Sequence, residues 1–144
     1  MNEVFLDASY AIALSSVTDT HHQRALAIAQ QLESRRIHLV TTRGVILEIG
    51  NALSRQPYRR AAVALLDSID NDPRIEVVPA SEELCQEAFD RFKDRPDKEW
   101  GLTDCLSFVV MEERKLADAL TADEHFRQAG FRPLLLERGW PDSG

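Results

Sequence analysis

Four acids in this chain stand beside apolar segments, where a carboxylate can do more than keep a surface wet. Asp7 directly follows VFL, and Asp123 follows the run ADALTA. Asp104 lies at the head of LTDCLSFVVM, where few other charges occur, and Glu48 flanks the apolar arc of Val45, Ile46, Ile49, Ala52 and Leu53. Gathered around one cavity, such carboxylates repel by roughly 4 kcal/mol per pair at ~4 Å and an effective dielectric near ~20, so they protonate or spread unless cations join them. Oxygen donors of this kind suit Mg2+ or Mn2+, and no Cys/His set has the spacing of a structural zinc site. Two such ions can lower the pKa of water, align it with a phosphodiester and stabilise the leaving oxygen.

Each acid also has a plainer reading. Asp7 and Asp123 suit helix N-caps, Asp104 a first-turn acid complementing the helix dipole, and Glu48 a solvated edge residue. Thr103 beside Asp104 and Thr121 near Asp123 repeat a hydroxyl-plus-carboxylate pairing that is ordinary helix punctuation when it occurs once.

The elements that must position these residues alternate along the chain. Strands are expected at 3–6, 37–41, 74–78, 117–122 and 132–137. Helices are expected at 8–14, 20–35, 42–54, 58–69, 81–93, 102–116 and 123–129, with Pro57 separating the third from the fourth. Such alternation predicts a three-layer α/β/α domain around a central, mostly parallel five-stranded sheet, because parallel strands need crossovers and these cover both faces. One domain over 1–144 is expected, with a core over about 3–137 and a short tail at 138–144. In such sheets ligands bind beyond the carboxyl ends of the strands, where strand order reverses, and Asp7 and Asp123 would project there.

The net charge of −7, from 17 Lys and Arg against 24 Asp and Glu, disfavours broad attraction to phosphate backbones. Nucleic acid would need a local basic patch, metal ions or a partner. The chain starts with MNEVFLDASY rather than a basic leader, and no apolar run approaches ~18 residues. A cytoplasmic protein without a membrane span is expected, with Cys85 and Cys105 as free, small hydrophobes.

The segments FLDAS, TTRGVILEIGNAL, LTDCLSFVVMEERKL and ALTADEHFRQAGF, in that order, resemble the PIN-domain ribonucleases and more narrowly the VapC-type toxins of toxin-antitoxin pairs. The resemblance runs from about Glu3 to Glu137 and matches Asp7, Glu48, Asp104 and Asp123 to the family's acidic quartet. It implies a Mg2+- or Mn2+-dependent endoribonuclease whose four acids are catalytic and hold the metal, with Ser9, Thr103 and Thr121 in a supporting shell. It also implies an RNA substrate, a cognate antitoxin and a homodimer. The alternative is a non-catalytic PIN-like RNA-binding or signalling module. An aspartyl-phosphate phosphatase would need an acid where Ser9 stands, and a receiver domain would need an acidic pair after the first strand.

RNA contacts are sought in RQPYRR, where Arg55, Arg59 and Arg60 surround Tyr58, whose ring could stack on an unpaired base; a solvated helix start competes with that reading. Arg91, Lys93, Arg95 and Lys98 form a looser second cluster, and Trp100 reads as a packing anchor. His21 and His22 are adjacent and so unsuited to sharing a metal, His38 carries no functional argument, and His125 reads as a solvated helix residue with some chance of meeting substrate.

Overall fold

EVFL is short and largely apolar, and HLVTT joins Leu39 and Val40 to two β-branched threonines, which suits short strands of a covered sheet. In the computed structural model, which describes residues 3–140, they form β1 (Glu3–Leu6) and β2 (His38–Thr42). With β3 (Ile75–Val78), β4 (Asp118–Leu120) and β5 (Arg132–Pro133) they make one sheet in the order β3-β2-β1-β4-β5. All of its pairings are parallel, so the sheet is more uniform than the sequence pattern requires. The crossovers hold α1 (Ala8–Ser15), α2 (His22–Ser34), α3 (Arg43–Ala52), α4 (Gln56–Asn71), α5 (Glu82–Asp94), α6 (Leu102–Arg114) and α7 (Glu124–Gln128). The result is a three-layer α/β/α fold. None of the described helices is long and apolar enough to cross a membrane.

The chain steps outward from β1 to β3, then returns across the sheet to β4 on the other side of β1. Strand order therefore reverses between β1 and β4, which opens the crevice where this architecture binds ligands. The Asp7 N–H donates to the Leu120 carbonyl at 3.2 Å and locks the two strand ends side by side.

Two packing features bring the later helices to that rim. Phe108 of α6 is fully buried and meets Trp100 and Phe126 edge-on, with centroids 5.1 and 5.0 Å apart, and Phe131 at 5.6 Å. Such aromatic contacts stabilise beyond their buried area. They tie the heads of α6 and α7 together, and the Trp100 indole N–H donates to Gln128 Oε1 at 3.1 Å, which bears out its reading as an anchor. At Gly44, a Cβ would lie 2.8 Å from Leu106 Cδ2, so the missing side chain lets the first turn of α3 approach α6. Thr42 Oγ1 caps α3 by accepting from the Val45 N–H at 3.1 Å.

Some boundaries differ from the sequence pattern. Pro57 lies in the first turn of α4, where its missing N–H has no intrahelical partner to lose, rather than before the helix. The last strand is cut short: Pro133, on the edge strand, is followed by Leu134–Leu136, which turn into a 3-10 helix that buries Leu134 and Leu135. Within the expected tail, Trp140 is buried and its carbonyl accepts from Arg24 at 3.5 Å, while 141–144 lie outside the described residues. Cys105 is buried as expected, but Cys85 is exposed.

Phe108→Ala should lower the unfolding free energy by about 3–5 kcal/mol, the usual cost of emptying a buried aromatic site. Urea denaturation in chelator measures it, and a loss under about 1 kcal/mol would contradict the central place given to this ring.

Candidate active site

Asp7 is the most constrained of the four acids. It is buried, and its Oδ2 accepts from Thr121 Oγ1 at 2.8 Å and from Ser9 Oγ at 3.1 Å. A hydroxyl has one proton and two acceptor lone pairs. Here the Asp123 N–H donates to Thr121 Oγ1 at 3.0 Å and the Ala122 N–H donates to Ser9 Oγ at 2.9 Å. Ser9 Oγ and Thr121 Oγ1 also lie 3.0 Å from each other, so the two hydroxyls and the Asp7 carboxyl form one closed hydrogen-bonded group. Burial still dominates: it pushes the Asp7 carboxyl above the usual range against the lowering effect of Thr121 and Ser9.

Asp104 and Asp123 combine capping with site geometry, so the two readings left open by sequence are compatible. Asp104 Oδ2 accepts from the Gly101 N–H at 3.1 Å at the head of α6. Asp123 Oδ1 accepts from the His125 N–H at 2.9 Å and caps α7. Among the described residues, Asp104 Oδ1 and Asp123 Oδ2 take no hydrogen bond. Burial holds the Asp104 carboxyl above its ordinary range, opposed by Gly101 and His125 and reinforced by the Asp123 charge.

Glu48 joins them from α3. Its carboxyl is pushed from 4.5 up to about 7, first by burial and then by the charges of Asp7, Asp104 and Asp123. The structure thus places all four acids in one electrostatic neighbourhood. Asp104, Asp123 and His125 each offer a ligand atom within 4.8 Å of the others. Carboxylate oxygens with one imidazole nitrogen fit a divalent cation such as Mg2+ or Mn2+.

The other sequence candidates divide. Ser9 and Thr121 bond directly to Asp7, whereas the Thr103 hydroxyl bonds to none of the acids among the described residues; its carbonyl accepts from Ser107 Oγ at 3.0 Å. His22 turns its ring to the Ala13 carbonyl at 2.7 Å, away from any shared site with His21. His125 is the residue sequence reasoning undervalued, because its Nδ1 lies 3.1 Å from Asp104 Oδ2 and 3.4 Å from Asp123 Oδ1. Its position in the first turn of α7, right after a capping acid, was the available signal, since helical side chains lean toward the N-terminus.

Arg55, Tyr58, Arg59 and Arg60 are all exposed around the start of α4, and none of these arginines forms an ion pair among the described residues. The second cluster is largely neutralised in place. Arg91 pairs with Glu112 at 2.7 Å, Arg95 with Asp97 at 3.0 Å, and Lys93 sits 3.5 Å from Asp90.

The raised Glu48 carboxyl fixes the sign of a pH effect. Between about 4.5 and about 7 the folded state holds a proton that the unfolded chain has released, so stability falls as pH rises through that window. In chelator, the unfolding free energy should therefore decline from about pH 5 to about pH 8, and Glu48→Gln should flatten the decline. Equal slopes for the two proteins would show that Glu48 lacks the crowding described.

The PIN domain family model matches residues 4–132. The 23S rRNA-specific endonuclease VapC20 of Mycobacterium tuberculosis, from strains CDC 1551 / Oshkosh and ATCC 25618 / H37Rv, is 29% identical over 129 residues, covering 89% of this chain and 95% of the relative. The crystal structure of Mycobacterium tuberculosis VapC20, described as a sarcin-ricin loop cleaving toxin, superposes with a TM-score of 0.78 at 26% identity, again over 89% of this chain and 95% of that one. With a parallel sheet reversing at β1/β4 and acids at that reversal, the chain belongs to the PIN domain family.

Proposed function

We propose that this chain is a cytoplasmic, single-domain, metal-dependent endoribonuclease and the toxin of a toxin-antitoxin pair. The observation that carries the reading is the convergence of Asp7, Glu48, Asp104 and Asp123 at the β1/β4 crevice, where burial first and neighbouring acid charges second hold the carboxyls of Asp7, Glu48 and Asp104 above their ordinary ranges. An assembly of this kind is strained until positive charge enters it. Asp7, Glu48, Asp104 and Asp123 would hold Mg2+ or Mn2+, which when bound acts as a Lewis acid on a phosphodiester and lowers the pKa of the attacking water.

The chain's own residues prepare that chemistry. Ser9 and Thr121 hold one oxygen of Asp7 by two hydroxyl donors, so the carboxylate cannot swing away. The Gly101 N–H fixes Asp104, and the His125 N–H fixes Asp123. Each of these two leaves one oxygen free of hydrogen bonds. Glu48, whose carboxyl is pushed up to about 7, is suited to accepting or returning a proton near neutral pH.

RNA would reach the site along the start of α4, where Arg55, Arg59 and Arg60 keep their charges free and Tyr58 offers an exposed ring. VapC20 makes 23S rRNA the first substrate to test. A homodimer is supported by the exposed apolar residues Leu47 and Val63 on the neighbouring helices α3 and α4.

Purified protein should cleave RNA with Mg2+ or Mn2+ and stop in EDTA. Asp7→Asn, Asp104→Asn and Asp123→Asn should each slow cleavage on the order of a hundredfold or more while keeping the fold. Rates equal to wild type in all three would overturn the catalytic assignment of the acids, and a wild type that binds RNA without metal-dependent cleavage would leave a non-catalytic RNA-binding module as the surviving reading.

Replacing Arg59 and Arg60 together by Ala should weaken RNA binding and reduce its logarithmic salt slope by about 1.4, the value for two lost single-strand phosphate contacts. An unchanged slope would move the RNA path away from α4.

A further inference from the structure

On sequence alone His125 is a solvated helix residue. In the structure its ring is turned inward, with Nδ1 between Asp104 Oδ2 and Asp123 Oδ1 at 3.1 and 3.4 Å. We propose that His125 Nδ1 is itself a ligand of the divalent cation, together with Asp104 and Asp123, and that this nitrogen makes the centre favour Mn2+ over Mg2+. The inference deepens the ribonuclease reading and rests on its claim that the acids hold a cation.

The distances carry the geometry. With metal bonds of about 2.1 Å, neighbouring ligand atoms of an octahedron lie about 3.0 Å apart and opposite ones about 4.2 Å. Both separations from Nδ1 match neighbouring vertices, and each of the three residues offers a ligand atom within 4.8 Å of the other two. One cation can therefore meet all three atoms with small side-chain adjustments.

Local structure keeps the ring there. The His125 N–H bonds Asp123 Oδ1, so the residue that offers the nitrogen also orients one of the carboxylates beside it. The adjacent Phe126 is fully buried against Phe108 and Phe5, which fixes the helix that carries the ring.

A competing arrangement uses the same contact differently. If Nδ1 carries a proton and donates it to Asp104, His125 is a positioning residue and contributes no metal bond. The chemistry of the ions separates the two. Mg2+ takes oxygen ligands and dehydrates reluctantly, whereas imidazole suits the transition ions. A nitrogen bond should thus appear as a difference between Mn2+ and Mg2+, which a purely positioning histidine would not produce.

The test uses the whole protein, stripped of metal and titrated with Mn2+, with bound Mn2+ read by pulsed electron paramagnetic resonance for coupling to 14N. Wild type should show a directly coupled nitrogen, and His125→Ala should lose it. Its Mn2+ affinity should fall about tenfold or more, and its Mg2+ affinity, measured by competition, should fall less. His125→Gln, which restores an oxygen donor, should recover Mg2+ binding more than Mn2+ binding. Near-UV circular dichroism of Trp100, which is bonded to Gln128, reports whether α7 stays in place in both variants. Bound Mn2+ without nitrogen coupling in wild type, coupling that persists in a folded His125→Ala, or an unchanged Mn2+/Mg2+ ratio would overturn the inference and leave the four-acid reading standing. Failure of wild type to bind Mn2+, or binding indifferent to Asp104→Asn, would overturn that reading and this inference with it.

Discussion

A buried carboxylate at the β1/β4 reversal is the constraint on which the site depends. Taking Asp7 out of water costs free energy that two hydroxyl donors offset only in part, as its raised proton affinity shows. The arrangement holds because the donors are themselves held. Thr121 and Ser9 receive backbone N–H groups from Asp123 and Ala122, so the strand end that supplies the fourth acid also anchors the hydroxyl oxygens beside the first. The repeated threonine-and-acid pattern has different meanings at its two occurrences. Thr121 links two acids through one oxygen, while Thr103 leaves Asp104 to a backbone N–H and a histidine.

Everything else brings Glu48 and Asp104 to this fixed point. Gly44 lets α3 approach α6, and the Phe108 cluster keeps the head of α6 against α7. Neither feature touches the chemistry, yet both govern distances between charges. Repulsion inside the crevice varies steeply with such distances because water is partly excluded there. The packing energy of the aromatic cluster therefore also holds together carboxylates that would otherwise separate.

Much of this was legible in sequence. Period and length were enough for the alternation of strands and helices, and the position of an acid after a strand marked Asp7 and Asp123 as crevice residues once parallel pairing was assumed. What escaped detection depended on long-range contacts. The place of His125 in a first turn after a capping acid was a local hint, but it did not separate a ring facing solvent from one facing Asp104, since the deciding partner lies 21 residues away. The basic cluster from Arg91 to Lys98 looked available because sequence does not reveal that Glu112 closes on Arg91. The last strand ended early because the leucine run that suggested continuation turns instead into a 3-10 helix that buries Leu134 and Leu135.

The charge pattern also constrains control on the proposed reading. A chain of net charge −7 with an acidic crevice repels RNA at the very place where cleavage must happen, so substrate and cation have to arrive as mutually supporting ligands. The unpaired arginines at the start of α4 attract phosphate without neutralising the acids, because they begin seven residues beyond Glu48 and pair with none of them. That separation leaves the acids open to any other cation. An antitoxin presenting an arginine would find two carboxylate oxygens, Asp104 Oδ1 and Asp123 Oδ2, with no internal hydrogen bond to displace, and could make charge-assisted contacts with both. The same strain that favours metal would favour that guanidinium. Inhibition by occupation of the site would then draw on the site's own electrostatics, without needing any change in the fold that holds it.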